Sequence, residues 1–191
     1  MRIFIAVELP DKIKEKIDTL ITYFKTQLPK QALKWVRKEN LHLTIKFIGE
    51  FPEDEIPKIK TIIDEVLTNQ SEFSFSIEGL GMFPNSDNPR VIWLGITGGD
   101  PLISIHQQLN LSLAQIGVKT DHRPLSPHLT IARVRQGIDR ATLSQIGNSL
   151  SEFRVDTLGS IIVDHITLFQ SNLKPAGPHY KVLYSRHLNQ V

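Results

Sequence analysis

His42-Leu43-Thr44-Ile45 and His128-Leu129-Thr130-Ile131 are the same tetrapeptide, 86 residues apart in a chain of 191. Each lies in a stretch that reads as a β-strand, Leu41 to Ile48 in one case and His128 to Val134 in the other, with helical patterns before and after. Side chains alternate along a strand, so His and Thr share one face while Leu and Ile point to the opposite one. The apolar pair anchors the strand and the polar pair is offered outward. One such strand reads as a solvated polar face. Two, in matching positions of two halves, predict a repeated architecture.

Working outward, the first half opens with a strand from Arg2 to Leu9, and Asp11 caps a helix carrying Ile13, Ile17, Leu20, Ile21 and Phe24. A short extended piece falls at Lys34 to Val36. Pro52, followed by Glu53, Asp54 and Glu55, opens a second helix, and Phe73 to Glu78 alternates as a half-buried strand. The second half repeats the order: a strand at Arg90 to Ile96, a helix from Asp100-Pro101, and a helix from about Ile138 to Leu150 after the second HLTI strand. Further strands are expected at Phe153 to Leu158, Ile161 to Phe169 and Tyr180 to Arg186. The fold class is therefore α+β, two antiparallel sheets flanked by helices, forming one domain of two lobes at approximately 1–82 and 90–191 with terminal strands able to exchange. A doubly wound parallel sheet would need a Gly-rich turn after the first strand, and Gly79 with Gly81 has no third glycine.

Composition narrows the chemistry. Apolar residues make up 40% of the chain and charged residues 22%, which suits a folded globular protein. There is no cysteine, so thiol nucleophiles, thiolate metal sites and disulfides are excluded and a cytoplasmic address is expected. Lys and Arg exceed Asp and Glu by only 22 to 20, too weak a field for a dedicated binder of long duplex nucleic acid. Any nucleic acid should be recognised locally, in a pocket. Neither a signal peptide nor a membrane anchor is expected, since the apolar run after Met1-Arg2 is short.

If the lobes pack about an approximate twofold axis, both His-Thr faces line one cleft and two imidazoles stand across one small substrate. His titrates near neutrality, which suits paired acid and base catalysis, and the Thr hydroxyls can donate to an anionic oxygen. Neither His has an Asp or Glu at metal-ligand spacing, and HxH and HExxH are absent, so no metal and no cofactor is expected. Lys46 shares the strand parity of His42 and Thr44, and Arg123 precedes the second motif. Both are candidate phosphate contacts and, equally, surface charges. Arg133 has the opposite parity and would reach the substrate only where the strand bends. A third HxT, His165-Ile166-Thr167, lacks the repeat's position between helices and reads as structural. Among aromatics, Trp35 and Phe83 are candidates for stacking on a base, whereas Phe47 and Trp93 read as core from their apolar neighbours. His106 reads as a boundary or core residue and His122 as near the cleft or in a loop.

These residues resemble the two-histidine (2H) phosphoesterase superfamily, most closely the LigT-like RNA 2',3'-cyclic phosphodiesterases, also described as 2'-5' RNA ligases. The resemblance runs through Arg2-Ile3-Phe4-Ile5-Ala6, Lys34-Trp35-Val36, Asn40-Leu41 before HLTIKFIGE, the Gly81 to Gly95 segment GMFPNSDNPRVIWLG, Arg123 and Pro127 before HLTIAR, and Gly177-Pro178 with Tyr180. It implies a bilobal pseudo-twofold fold with both motifs in a central cleft, His42 as proton donor, His128 as proton acceptor, and Thr44 and Thr130 as phosphate-binding residues. The implied substrate is RNA ending in a 2',3'-cyclic phosphate, opened to a 2'-phosphomonoester without a metal or a protein partner. The reverse reaction would form a 2'-5' linkage. The donor and acceptor labels rest on the resemblance alone. Other cyclic nucleotides, 2'-5' oligonucleotides and a purely binding role are the competing readings.

Overall fold

The computed structural model describes residues 1–175 and 177–190. Among them are four α-helices and nine strands. One sheet holds β1 (Arg2–Glu8), β3 (His42–Glu50), β8 (His165–Lys174) and β9 (Gly177–His187) in the order β3-β1-β8-β9. The other holds β2 (Leu33–Trp35), β4 (Phe73–Phe83), β5 (Val91–Thr97), β6 (His128–Val134) and β7 (Gly159–Val163) in the order β2-β6-β5-β4-β7. All neighbouring strands within the sheets are antiparallel, so the α+β class holds. β8, from the C-terminal half, pairs with β1 and carries β9 at its other edge, whereas β4, from the N-terminal half, pairs with β5 and β7.

Helix α1 (Asp11–Gln27) buries Ile13, Ile17, Ile21 and Phe24, one stripe at helical spacing. Its Asp11 is the first helical residue and adds negative charge to the first turn, but Pro10 occupies the cap position and no side chain caps the helix. α2 (Ile56–Leu67) begins at Ile56, four residues later than Pro52 suggests, with Pro57 in its first turn. α3 (Asp100–Ala114) follows Gly99, and α4 (Arg140–Ser151) is capped by Asp139, whose carboxylate accepts from Thr142 N at 2.9 Å and Thr142 Oγ1 at 2.8 Å. α2 and α3 lie against each other and reach β9 and β3, while α4 lies against β4. The two sheets and their helices share one continuous core.

Two strand expectations need correction. Phe153 to Leu158 forms no strand, although Val155 and Leu158 bond to the backbone of Gly79 and Ile77 at the edge of β4. The single strand expected over Ile161 to Phe169 is broken at Asp164 into β7 and β8, which join different sheets. The apolar alternation continues through the break, so periodicity does not reveal it.

Leu129, fully buried between His128 and Thr130, tests how firmly the core face holds the second motif. Leu129→Ala is expected to cost about 2–5 kcal/mol. At roughly 2–4 °C per kcal/mol for a chain of this size, the thermal midpoint should fall by several degrees or more in a denaturation scan.

Candidate active site

The two HLTI strands are built alike down to an irregularity that simple alternation does not anticipate. On β3, His42, Leu43 and Thr44 face Glu8, Val7 and Ala6 of β1, but the next pair is Lys46 with Ile5, so Ile45 is an extra residue. On β6, His128, Leu129 and Thr130 face Gly95, Leu94 and Trp93 of β5, and the next pair is Ala132 with Ile92, so Ile131 is extra. An extra residue in one strand of an antiparallel pair is a β-bulge, and it resets which face each later side chain takes. Accordingly Ile45 and Lys46 are buried in succession, at 2% and 1% exposure, as are Ile131 and Ala132. The following residues, Phe47 and Arg133, turn out to the exposed side.

This bulge inverts the expectation for Lys46 and supplies the bend that the expectation for Arg133 required. Lys46 does not stand beside His42 and Thr44 on the open face. Its ammonium is enclosed on the core side, where it donates to Asp121 Oδ2 at 2.7 Å, Asn110 Oδ1 at 2.8 Å and the Lys119 carbonyl at 3.0 Å. Arg133, in contrast, comes round to the face of His128 and Thr130, and its charge reaches the Tyr180 hydroxyl. Tyr180 in turn meets the His42 ring edge-on at a centroid distance of 5.1 Å.

His42, Thr44, His128 and Thr130 are all half-buried and on the open face of their strands, and β3 and β6 run against each other where the sheets meet. Each imidazole is held the same way. Nδ1 of His42 lies 2.7 Å from the Asn40 carbonyl, and Nδ1 of His128 lies 2.7 Å from the Ser126 carbonyl, in each case two residues upstream. A carbonyl only accepts, so Nδ1 carries the hydrogen and Nε2 is the nitrogen left for a substrate. Asn40 is fixed in its turn, donating through Nδ2 to the Pro178 carbonyl at 2.8 Å.

The surroundings of the two rings differ. His42 packs on Phe4 at 4.8 Å and against Tyr180, and Phe4 stacks on Phe169 at 5.2 Å. Burial lowers the His42 pKa from its usual 6.5, the Asn40 carbonyl opposes that shift, and nearby Lys14 adds to it. His128 sits edge-on to Phe83 at 5.0 Å and near Trp93 at 6.2 Å. Trp93 is thus a wall of the site and not core, because it is the cross-strand partner of Thr130. Gly81 on β4 makes room for it: a Cβ there would come within 2.2 Å of the indole ring. Phe47 is also not core, being 47% exposed with the Arg2 guanidinium 4.9 Å above its ring. Trp35, a stacking candidate, instead stacks on Phe24 at 6.4 Å and pairs with Ala132 on the core side.

A cavity of about 920 Å³ opens beside His128, lined in part by Phe83, Arg90, His122, Arg123 and Ser126. Arg123 and His122 therefore accompany His128. Arg90 and Tyr180 complete the surroundings and were not singled out from sequence as substrate contacts. Arg90 sits in a polar loop and Tyr180 in a C-terminal hairpin, and neither has a local pattern that links it to the motifs. His106 is buried as expected, its Nε2 3.2 Å from Asp121 Oδ2.

Lys46 and His106 act together on the chain leading into the second motif. Burial by itself would raise the Asp121 carboxyl, but the hydrogen bonds and charges of Lys46 and His106 outweigh it and hold the pKa below the usual 3.8. Asp121 N also donates to Asn110 Oδ1 at 2.8 Å, and Asn110 Nδ2 donates to the Asp121 carbonyl at 3.1 Å. Lys46→Met removes a donor shared by three acceptors and is expected to destabilise the protein by about 1–3 kcal/mol. Asp121, with its depressed pKa, contributes stability that is present above 3.8 and lost as pH falls through the lower folded value. The stability gap between wild type and Asp121→Asn, measured by urea titration, should therefore be constant near neutrality and close in acid.

Several known proteins are similar to this chain over most of its length. The LigT like Phosphoesterase family matches in two stretches, residues 7–93 and 95–180, each containing one His-Leu-Thr-Ile. An RNA 2',3'-cyclic phosphodiesterase from Methanocaldococcus jannaschii is 36% identical over 183 residues, covering 96% of this chain and 98% of the relative. One of the same name from Thermotoga maritima is 32% identical, covering 96% and 94%. Among solved structures, a Thermus thermophilus protein superimposes with a TM-score of 0.81 at 27% identity, covering 100% of this chain and 99% of that one. Escherichia coli LigT complexed with 3'-AMP superimposes with a TM-score of 0.75 at 25% identity, covering 99% and 98%.

Proposed function

This chain belongs to the LigT-like phosphoesterase family, and from that premise we propose that it is an RNA 2',3'-cyclic phosphodiesterase working by paired histidine acid and base catalysis. The observation that carries the mechanism is the matched pair of imidazoles, each with Nδ1 engaged by a carbonyl two residues upstream and Nε2 free. A 2',3'-cyclic phosphate is a strained diester. In its hydrolysis, water attacks phosphorus in line with the bond to O3', that bond breaks, and a 2'-phosphomonoester remains. One neutral Nε2 takes the water's proton while one protonated Nε2 gives a proton to O3'. We assign the first task to His128 and the second to His42. Its lowered pKa supports the donor role, because a more acidic imidazolium releases its proton more readily, and the anionic phosphate favours reprotonation on binding.

Thr44 and Thr130, one residue beyond the buried Leu in each strand, have hydroxyls suited to the non-bridging oxygens. Arg133, turned to the open face by the bulge at Ile131, supplies positive charge for the pentavalent phosphorus, with Arg123 at the cavity beside His128 as a contact to the RNA. Both proton transfers are covered by side chains, so the reading includes no metal. Run backwards, the same two groups join a 5'-hydroxyl to the cyclic end as a 2'-5' linkage without ATP. No helix among the described residues is long and apolar enough to cross a membrane. We infer a cytoplasmic address, which the lack of cysteine supports.

The test uses an oligonucleotide ending in a 2',3'-cyclic phosphate, with EDTA present, and identifies the product. A 2'-phosphate is expected. His42→Ala and His128→Ala should each lose roughly 10²- to 10⁴-fold in kcat, and Thr44→Ala, Thr130→Ala and Arg133→Met roughly 10²-fold. A 3'-phosphate product, or activity abolished by the chelator, would reject the mechanism. The pH dependence assigns the roles. The wild-type kcat/KM profile should be bell-shaped, with the lowered His42 value setting one limb below 6.5. Residual activity of His42→Ala should rise with pH and level off, since only the base remains, and that of His128→Ala should fall as pH rises. The opposite pair of slopes would exchange the donor and acceptor.

A further inference from the structure

The third HxT, His165-Ile166-Thr167, is not on the core side of its sheet. Across the four strands runs a row of titratable residues: His42 on β3 is the partner of Glu8 on β1, Glu8 Oε1 lies 3.6 Å from His165 Nε2 on β8, and His165 is the partner of His187 on β9. The next row holds Thr44, Ala6, Thr167 and Ser185. At the far end, Asp164 Oδ1 lies 2.5 Å from His165 Nδ1, and the His165 and His187 rings have centroids 5.5 Å apart. One donor atom from each of Asp164, His165 and His187 falls within 4.8 Å of the other two.

We propose that Asp164, His165 and His187 form a binding site for a borderline divalent transition-metal ion of the Zn²⁺ type, separate from the catalytic pair. Two imidazoles and a carboxylate are a donor set that such ions take at about 2.0–2.2 Å, which brings donors to about 3.3 Å from one another in tetrahedral geometry. The three donor atoms already lie within 4.8 Å of one another. His165 binds through Nδ1, the nitrogen beside Asp164. Its ring hydrogen then moves to Nε2, which faces Glu8. Glu8 is already fixed, accepting from Thr167 Oγ1 at 3.0 Å, and Thr167 also meets Ser185 Oγ at 3.1 Å. A carboxylate behind a ligating histidine orients the ring and raises its basicity, and here Glu8 fills that place. The sequence makes this possible because Asp164 is the residue at which the chain crosses between sheets, and Leu188 N bonds its carbonyl at 2.8 Å to bring the end of β9 alongside. The bound ion would clasp the start of β8 to the end of β9. It would lie two to three strands from His42, about 10–14 Å away at the usual strand spacing, too far to touch the reacting phosphorus.

The experiment titrates the full chain with Zn²⁺ alone in a calorimeter, and with Co²⁺ in an absorption cell, where a tetrahedral imidazole site gives an intense visible band. One ion per chain is expected, with a thermal midpoint that rises with free metal. Affinity should fall about 100-fold or more in His187→Ala and His165→Ala and about 10-fold in Glu8→Gln. The double variant His42→Ala/His128→Ala should bind as wild type does. The Co²⁺ spectrum of that double variant reads the site directly, so the result does not hang on how the His187 and His165 variants fold. No binding at millimolar Zn²⁺, an octahedral Co²⁺ spectrum, or binding lost with His42 and His128 but kept without His187 would each overturn the proposal.

Discussion

One extra residue in each of two strands governs the geometry of the site. Ile45 and Ile131 interrupt the alternation immediately after His-x-Thr, at the same register in both sheets. Up to that point each strand offers His and Thr to the open side while Leu43 or Leu129 fixes it to the core. Beyond it two successive residues are buried, which bends the strand and twists it more strongly. The polar face is thus confined to a short patch next to where β3 and β6 meet. Without the bulge, Lys46 would compete for that patch with the substrate's own contacts, and Arg133 would point into the core. A buried unpaired guanidinium would be far more costly than the bulge.

Twofold likeness of backbone does not make the two histidines alike. The strand beside His42 is β1, which places Phe4 under its ring and, through β9, Tyr180 at its side. The strand beside His128 is β5, which supplies Trp93, and the polar loop after β4 brings Arg90 with an open cavity. Enclosure of the His42 imidazole loosens its hold on a proton. The proposed asymmetric chemistry on one phosphorus would draw on the different surroundings of the two rings, which come from the side chains that the neighbouring strands carry. The Lys46 network then joins the first strand to the chain entering the second, through an ion pair that is dry at the ammonium end and open at the carboxylate end.

The sequence carried the class of fold because its signals are local: helical stripes such as Ile13, Ile17 and Ile21, and strand alternation around two identical motifs. It placed His42, Thr44, His128 and Thr130 on the open face of their strands because they lie before the bulges, where strict alternation is valid. It failed for Lys46 and Phe47 because they lie after, and a bulge depends on pairing with a distant strand; for Arg133 the bulge at Ile131 is the bend that its reach to the open face requires. Trp93 was misread for a related reason. An indole flanked by Ile92 and Leu94 looks buried, yet its own face of β5 is the open one, and only Gly81 on the next strand shows why the ring fits there. Asp164 was invisible as a crossing point because Val163 and Ile166 keep the apolar rhythm on either side.

The central claim is that both Nε2 atoms address one phosphorus atom from opposite sides. A crystal structure of the protein with a nucleoside 2'-phosphate tests it most directly. The account predicts one phosphate group with His42 Nε2 and His128 Nε2 each at hydrogen-bond distance, about 3 Å, from different oxygens, and the Thr44 and Thr130 hydroxyls on the others. A phosphate seated away from the strands, or held by one histidine with the other turned to a separate surface, would contradict it.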